Sequence, residues 1–209
     1  LMGHETPSVL ADKIVDALKT DSNPDGLFLH PGSKQYQHLC FTGGEPLMAT
    51  GQLASMGIYK ALKGKNNFPK SMTFETNGTQ TLREPFKQWI KDIPEEIFFS
   101  VSPKLFTVSG EKTEKAIKPE NVAEYQECSN RGQLKFVVGA ADREWDELEM
   151  TVEKFRKAGV QWPVWVMPTG AREEEQVATA GQVAEKAFKK GYNVAARVHV
   201  YLFGNAIGT

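Results

Sequence analysis

The segment Thr42-Gly43-Gly44-Glu45-Pro46 joins two residue types that do chemistry together. Adjacent glycines let the backbone come close to a ligand that any side chain would hold off, and the carboxylate directly after them offers charge to a cation. By itself the pattern equally describes a strand-to-helix turn with a capping acid. Two further clusters, Glu75-Thr76-Asn77-Gly78-Thr79 and Ser100-Val101-Ser102-Pro103-Lys104, also gather hydrogen-bonding groups around a turn-forming residue. Near the end of the chain lie Met167-Pro168 and Arg197-Val198-His199. Read singly, Met167 suits a core position, Arg197 a rim salt bridge, and His199, set in an apolar run, a satisfied core histidine.

These clusters need elements to hold them. Thr6-Pro7 reads as an N-cap followed by Pro at the first helical position, and Leu10, Ile14 and Leu18 recur on one face, so a helix is expected from Pro7 to Lys19. A polar loop from Asp21 to Lys34 leads into a buried strand, Gln37–Phe41. The same alternation then repeats. Leu53, Ile58 and Leu62 mark a helix, Met72–Phe74 a strand, Pro85–Ile90 a helix and Ile97–Val101 a strand. Beyond them come a helix Val122–Cys128, a strand Leu134–Val138, and a helical stripe Trp145, Leu148, Val152, Phe155 stopped by Gly159. A strand Val164–Val166, a helix Arg172–Lys190 capped by Gly191 and a last strand Ala196–Leu202 complete the pattern. The run Glu173-Glu174-Glu175 fits the first turn of its helix, where acidic groups favour the dipole.

Strands alternating with helices imply parallel pairing through right-handed crossovers, and ligands then gather at the carboxyl ends of the strands, where all the polar clusters fall. Six strands are too few for a closed eight-stranded barrel. The expected fold is α/β, an open, partial βα barrel of about six mostly parallel strands in a single domain over residues 1–209, with a doubly wound sheet as the alternative.

Composition narrows the function classes. Twenty-five Lys and Arg balance 26 Asp and Glu, so no net field gathers nucleic acid or an anionic membrane surface. No apolar run approaches the roughly 20 residues of a spanning helix, and no leader pattern opens the chain, which predicts a cytoplasmic protein. The two cysteines, Cys40 and Cys128, fall in segments that read as strand and helix end, which suits reduced thiols.

Taken in this order, the strand-end clusters resemble the radical S-adenosylmethionine superfamily. Ser102-Pro103-Lys104, Leu134-Lys135-Phe136-Val137-Val138, Val166-Met167-Pro168-Thr169-Gly170 and the ending Arg197–Asn205 with Gly208-Thr209 narrow the resemblance to the 7-carboxy-7-deazaguanine synthase family. It extends from Ser8 to Thr209. The superfamily's Cys-x-x-x-Cys-x-x-Cys loop is not in this sequence, and Cys40 and Cys128 cannot supply it. In the family that loop follows a first strand, so the resemblance implies that this strand and the cluster loop lie upstream of Leu1.

The resemblance implies a lyase with three cofactors: S-adenosyl-L-methionine, a 4Fe-4S cluster with one open iron, and Mg2+. One electron splits the sulfonium bond to a 5′-deoxyadenosyl radical, which removes a hydrogen from 6-carboxy-5,6,7,8-tetrahydropterin. Ring contraction and loss of ammonia then yield 7-carboxy-7-deazaguanine, a precursor in queuosine-type biosynthesis. On this resemblance Gly43, Gly44 and Glu45 hold the methionine part of the cofactor, Glu75, Ser102 and Lys104 its ribose and carboxylate, and Met167 with Pro168 its adenine. Thr42, Asn77, Arg197, His199 and the Thr209 carboxylate face the pterin, with Asn77 able to face either ligand. The implied partners are the pterin, an external one-electron donor such as flavodoxin, and a second copy in a homodimer. Two alternatives stay open: a glycyl-radical-enzyme activase of the same superfamily, and a cluster-less barrel that acts as a binding or regulatory module.

Overall fold

The computed structural model describes residues 5–170 and 172–204. Six parallel strands form one open sheet in strict chain order, β1-β2-β3-β4-β5-β6. A doubly wound sheet reverses its strand order part-way, so the sequential order sets that alternative aside. The chain divides into two compact units: one runs to Thr76 and adds Gln80–Phe99, the other takes Asn77–Thr79 and continues from Ser100.

In the first unit, α1 (Pro7–Ala17) starts where the Thr6 hydroxyl accepts the Val9 N–H at 3.4 Å, with Pro in the first turn as expected. Its Ala11 packs with Phe28 and with Ile58 and Leu62 of α2 (Ala49–Gly64), while Leu10, Ile14 and Leu18 close the rim of that cluster. Between the two helices lies β1 (Leu39–Phe41), shorter than the sequence suggests. Strand β2 (Ser71–Thr76) alternates without a fault: Met72, Phe74 and Thr76 are buried, whereas Ser71, Thr73 and Glu75 stay partly open. Phe74 stacks on Phe41 at 4.9 Å and meets Phe86 of α3 (Glu84–Asp92) edge-on at 5.4 Å. Leu53, counted at the sequence level on the helical face, is 56% exposed; the inward positions of α2 are Gln52, Ser55, Ile58, Tyr59 and Leu62.

Strand β3 (Glu96–Val101) leads into the second unit. Two one-turn helices, α4 (Phe106–Ser109) and α5 (Thr113–Ala116), precede α6 (Pro119–Cys128) and had no periodic signal because a single turn is too short to repeat. Strand β4 (Gly132–Val138) buries Leu134, Phe136 and Val138, and α7 (Asp142–Lys157) buries Trp145, Leu148, Val152 and Phe155 on one stripe. Strand β5 (Val164–Pro168) and α8 (Glu173–Lys189) follow, with the three acidic residues in the first turn of α8.

The expected last strand, Ala196–Leu202, is not formed. The last strand is β6 (Asn193–Val194), whose pairing with β5 is extended by the Ala195 N–H to the Val166 carbonyl at 2.8 Å, and Val198–Phe203 winds into helix α9. A short apolar run has no period that tells strand from helix, and β-branched propensity yields to tertiary context. No helix among the described residues is long and apolar enough to cross a membrane.

Candidate functional site

The turn after β1 is open over its glycines. Gly43 and Gly44 have φ of +82° and +57°, and no heavy atom lies within 4 Å of where a Cβ would stand on either. The residue pair therefore combines a left-handed backbone with free space above it, which is the condition for a ligand to touch the main chain. Glu45, next in line, turns its Oε1 back into the protein, accepting the Leu47 N–H at 3.1 Å and the Thr76 hydroxyl at 2.7 Å. Its carboxylate thus also ties the turn to the end of β2. Thr42 donates its hydroxyl to Glu75 Oε2 at 3.2 Å, so the two strand ends meet through these side chains as well.

Glu45→Ala should for this reason lower stability by about 1–3 kcal/mol, since it removes the acceptor for the buried Leu47 amide and Thr76 hydroxyl. Denaturant unfolding checks this. An unchanged midpoint would mean that the bonds to Leu47 and Thr76 do not hold the turn.

Below the turn, the same face of β1 and β2 carries a polar row. His38 bridges the Ser71 and Thr73 hydroxyls at 2.7 Å each, and Cys40, exposed, sits in register with Thr73. Burial holds the His38 imidazole below its ordinary value, so it is neutral at physiological pH. Among the described residues no three His, Cys, Asp or Glu side chains group closely enough to hold a metal ion.

In the second unit, Asn77 Oδ1 accepts the Thr79 N–H at 2.9 Å and its hydroxyl at 2.7 Å, and Asn121 holds the Thr79 carbonyl at 2.9 Å. Gly78 is a packing requirement: its φ is +80°, and a Cβ there would stand 2.8 Å from Val101 Cγ1. After β3, Ser102 is half-buried and Lys104 exposed, and the loop is anchored when Glu147 of α7 accepts the Phe106 and Thr107 N–H groups, each at 2.8 Å. At the end of β5, Pro168 is buried and Met167 half-buried, and the Arg197 Nε–H points at the Met167 sulfur at 3.3 Å. Gln176, buried in α8, donates to the carbonyls of Pro168 and Gly170 at 3.0 and 2.7 Å.

The chain is 27% identical over 183 residues to a curated 7-carboxy-7-deazaguanine synthase of Rhodopirellula baltica, an alignment that takes in 83% of this chain and 64% of that protein. Among solved structures it is similar to Streptococcus suis SuiB, with a TM-score of 0.54 at 10% identity over 98% of this chain and 47% of that one. It is also similar to SuiB bound to S-adenosylmethionine, with a TM-score of 0.53 at 11% identity over 92% and 44%. At such identities the likeness is one of fold. The chain spans less than two thirds of the curated relative and under half of the SuiB chains. No protein-family model matches it.

Of the residues singled out in the sequence, the first unit brings together Thr42, Gly43, Gly44, Glu45 and Glu75, and the second brings Met167 to Arg197. His199 belongs to α9 and not to a strand. Thr209 lies outside the described residues. Gln52 carried no expectation, and Thr76 entered only as one member of its hydrogen-bonding cluster. Each left a trace: a polar residue on the inward positions of a strand or helix is buried only when something pairs with it.

Proposed function

We propose that this chain forms the cofactor-binding part of a radical S-adenosylmethionine enzyme and, in finer terms, of a 7-carboxy-7-deazaguanine synthase acting on 6-carboxy-5,6,7,8-tetrahydropterin. The observation that carries this reading is the open double-glycine turn with Glu45 and Glu75 beside it, in a chain with 27% identity to a named synthase over most of its length. S-adenosylmethionine fits that turn by its chemistry. The space over Gly43 and Gly44 admits its methionine backbone, and the Glu45 carboxylate offers an acceptor to its ammonium group. Glu75, steadied by Thr42, can accept from ribose hydroxyls.

The iron–sulfur cluster does not fit the side chains of this chain. Three thiolates are needed, and Cys40 on β1 and Cys128 at the end of α6 are two. For Mg2+, no cage of three or more His, Cys, Asp or Glu side chains exists among the described residues. Both remain proposals for the whole protein, as do the flavodoxin-type donor, the homodimer, and the pterin contacts of Asn77, Arg197, His199 and Thr209.

The test is direct. The intact protein, purified without oxygen and given S-adenosylmethionine, a one-electron reductant and the tetrahydropterin acid, should be brown, release 5′-deoxyadenosine and consume the pterin to give 7-carboxy-7-deazaguanine. Deoxyadenosine release with no pterin consumed would point instead to the activase alternative. A colourless protein that binds the cofactor without cleaving it would point to a binding module.

A further inference from the structure

We infer that Gln52 is a positioning residue for the Gly43-Gly44-Glu45 turn, clamping the turn and the segment after β2 to α2 before any ligand arrives. The inference rests on the reading of that turn as the S-adenosylmethionine cradle. Gln52 is 1% exposed, and its amide makes three bonds, none of them within its own helix. Its Nε2 donates to the Leu47 carbonyl at 2.6 Å and to the Thr81 carbonyl at 2.9 Å, and its Oε1 accepts the Arg83 N–H at 2.8 Å. Leu47 in turn donates to Glu45 Oε1. One side chain therefore holds two segments that the strand ladder does not reach, and the first runs straight to the glutamate of the turn.

The neighbouring residue makes the close approach possible. A Cβ on Gly51 would stand 2.3 Å from the Pro46 carbonyl oxygen, so only a glycine lets Pro46 rest on the helix where Gln52 can reach Leu47. The need for a clamp follows from the turn itself. Two left-handed glycines with open space above them have few contacts of their own to fix their conformation, and a binding turn that is not held spends ligand affinity on ordering itself. A leucine at position 52 would fill the same volume. It would leave two carbonyls and an N–H of the loops without these partners.

The experiment compares Gln52→Met, which keeps length and volume, with Leu62→Ala, a cavity variant of the same helix remote from the clamp. In the intact protein without ligand, hydrogen exchange at the Leu47 and Arg83 amides should quicken at least about tenfold in Gln52→Met, and S-adenosylmethionine should bind roughly tenfold more weakly. Leu62→Ala should lower the melting temperature as much or more and leave both readouts near those of the unmodified protein. Unchanged exchange at Leu47 and Arg83 in Gln52→Met, or equal quickening in Leu62→Ala, would overturn the clamp. The exchange result needs no cofactor. If the unmodified protein fails to bind S-adenosylmethionine, the cradle reading falls while the exchange comparison still decides whether Gln52 holds the turn.

Discussion

On the proposed function, Gly44→Val should cut cofactor binding and turnover at least about a hundredfold while leaving most of the fold's stability in place. Gly44 has φ of +57°, where an L residue costs about 1–2 kcal/mol and a β-branched one sits worse. Apart from its chain neighbours, no heavy atom lies within 4 Å of its Cβ position, so the main cost to the fold is the backbone strain. In a chain of this size that strain lowers the melting temperature by roughly 2–8 °C. The isopropyl group instead fills the space through which a ligand reaches the main chain, so on the proposed function turnover should fall by at least about a hundredfold. Gly44→Ala separates the two effects. It carries similar backbone strain with less bulk, and should keep part of the affinity. Calorimetric titration with S-adenosylmethionine and turnover by the intact protein measure both; turnover of Gly44→Val within threefold of the unmodified protein would remove the turn from the cofactor site.

How legible such a site is in sequence depends on where its information lies. The alternation of Ser71 to Thr76 names which side chains face inward, and the α7 stripe from Trp145 to Phe155 does the same at helical spacing, because burial imposes those periods on the sequence itself. The double glycine is legible for a different reason: its backbone conformation excludes other residues. Glu45 is visible in the sequence as a carboxylate following a strand, but its bond to Thr76 joins positions 31 apart in the chain, and no local pattern carries such a contact. Gln52 illustrates the same limit, since its partners at Thr81 and Arg83 come from a loop with no period. Val198–Phe203 shows the opposite failure. Its residues favour a strand, yet β5 is already met by Asn193 and Val194, and the segment turns helical. The alternation of strands and helices and the clusters that follow β1, β2 and β3 were readable, but the order of the strands was not: the same alternation also suits a doubly wound sheet, and only the sequential order β1 to β6 sets that aside.

Lys63→Met should destabilise the first unit by about 3 kcal/mol at neutral pH and reverse the sign of part of its pH dependence. Glu95 is buried, with its side chain 1% exposed; it accepts the Tyr59 hydroxyl and pairs with Lys63 Nζ at 3.0 Å. Burial pushes the carboxyl up, but the hydrogen bonds from Tyr59, Lys63 and its own backbone, with the Lys63 charge, outweigh it and hold the group below its ordinary value. Burial first, then the bond to Glu95 and its charge, drives the Tyr59 phenol well above its own range, so Tyr59 is always the donor. A depressed carboxyl binds fewer protons folded than unfolded. Its contribution is therefore complete above the ordinary value of 4.5 and is lost as pH falls through the lower, folded one. Methionine at position 63 removes a hydrogen bond and the compensating charge together and leaves the buried carboxylate only the Tyr59 hydroxyl and its own backbone, the situation that makes broken buried pairs cost several kcal/mol. Protonation then offers relief. It also sets a ceiling, because at about 1.4 kcal/mol per pH unit the loss at pH 7 cannot exceed the cost of neutralising the group. With its folded value raised above the unfolded one, Glu95 in the variant binds more protons when folded, so its contribution grows as pH falls from 7 toward 5 where that of the unmodified protein is flat. Urea unfolding of both proteins at pH 7, 6 and 5 gives the difference directly. A gap that stays constant or widens as the pH falls would show that Glu95 is not left at a cost and that Lys63 acts through its ammonium over the Tyr59 and Phe68 rings, at 5.6 and 4.0 Å, in place of its pairing with Glu95.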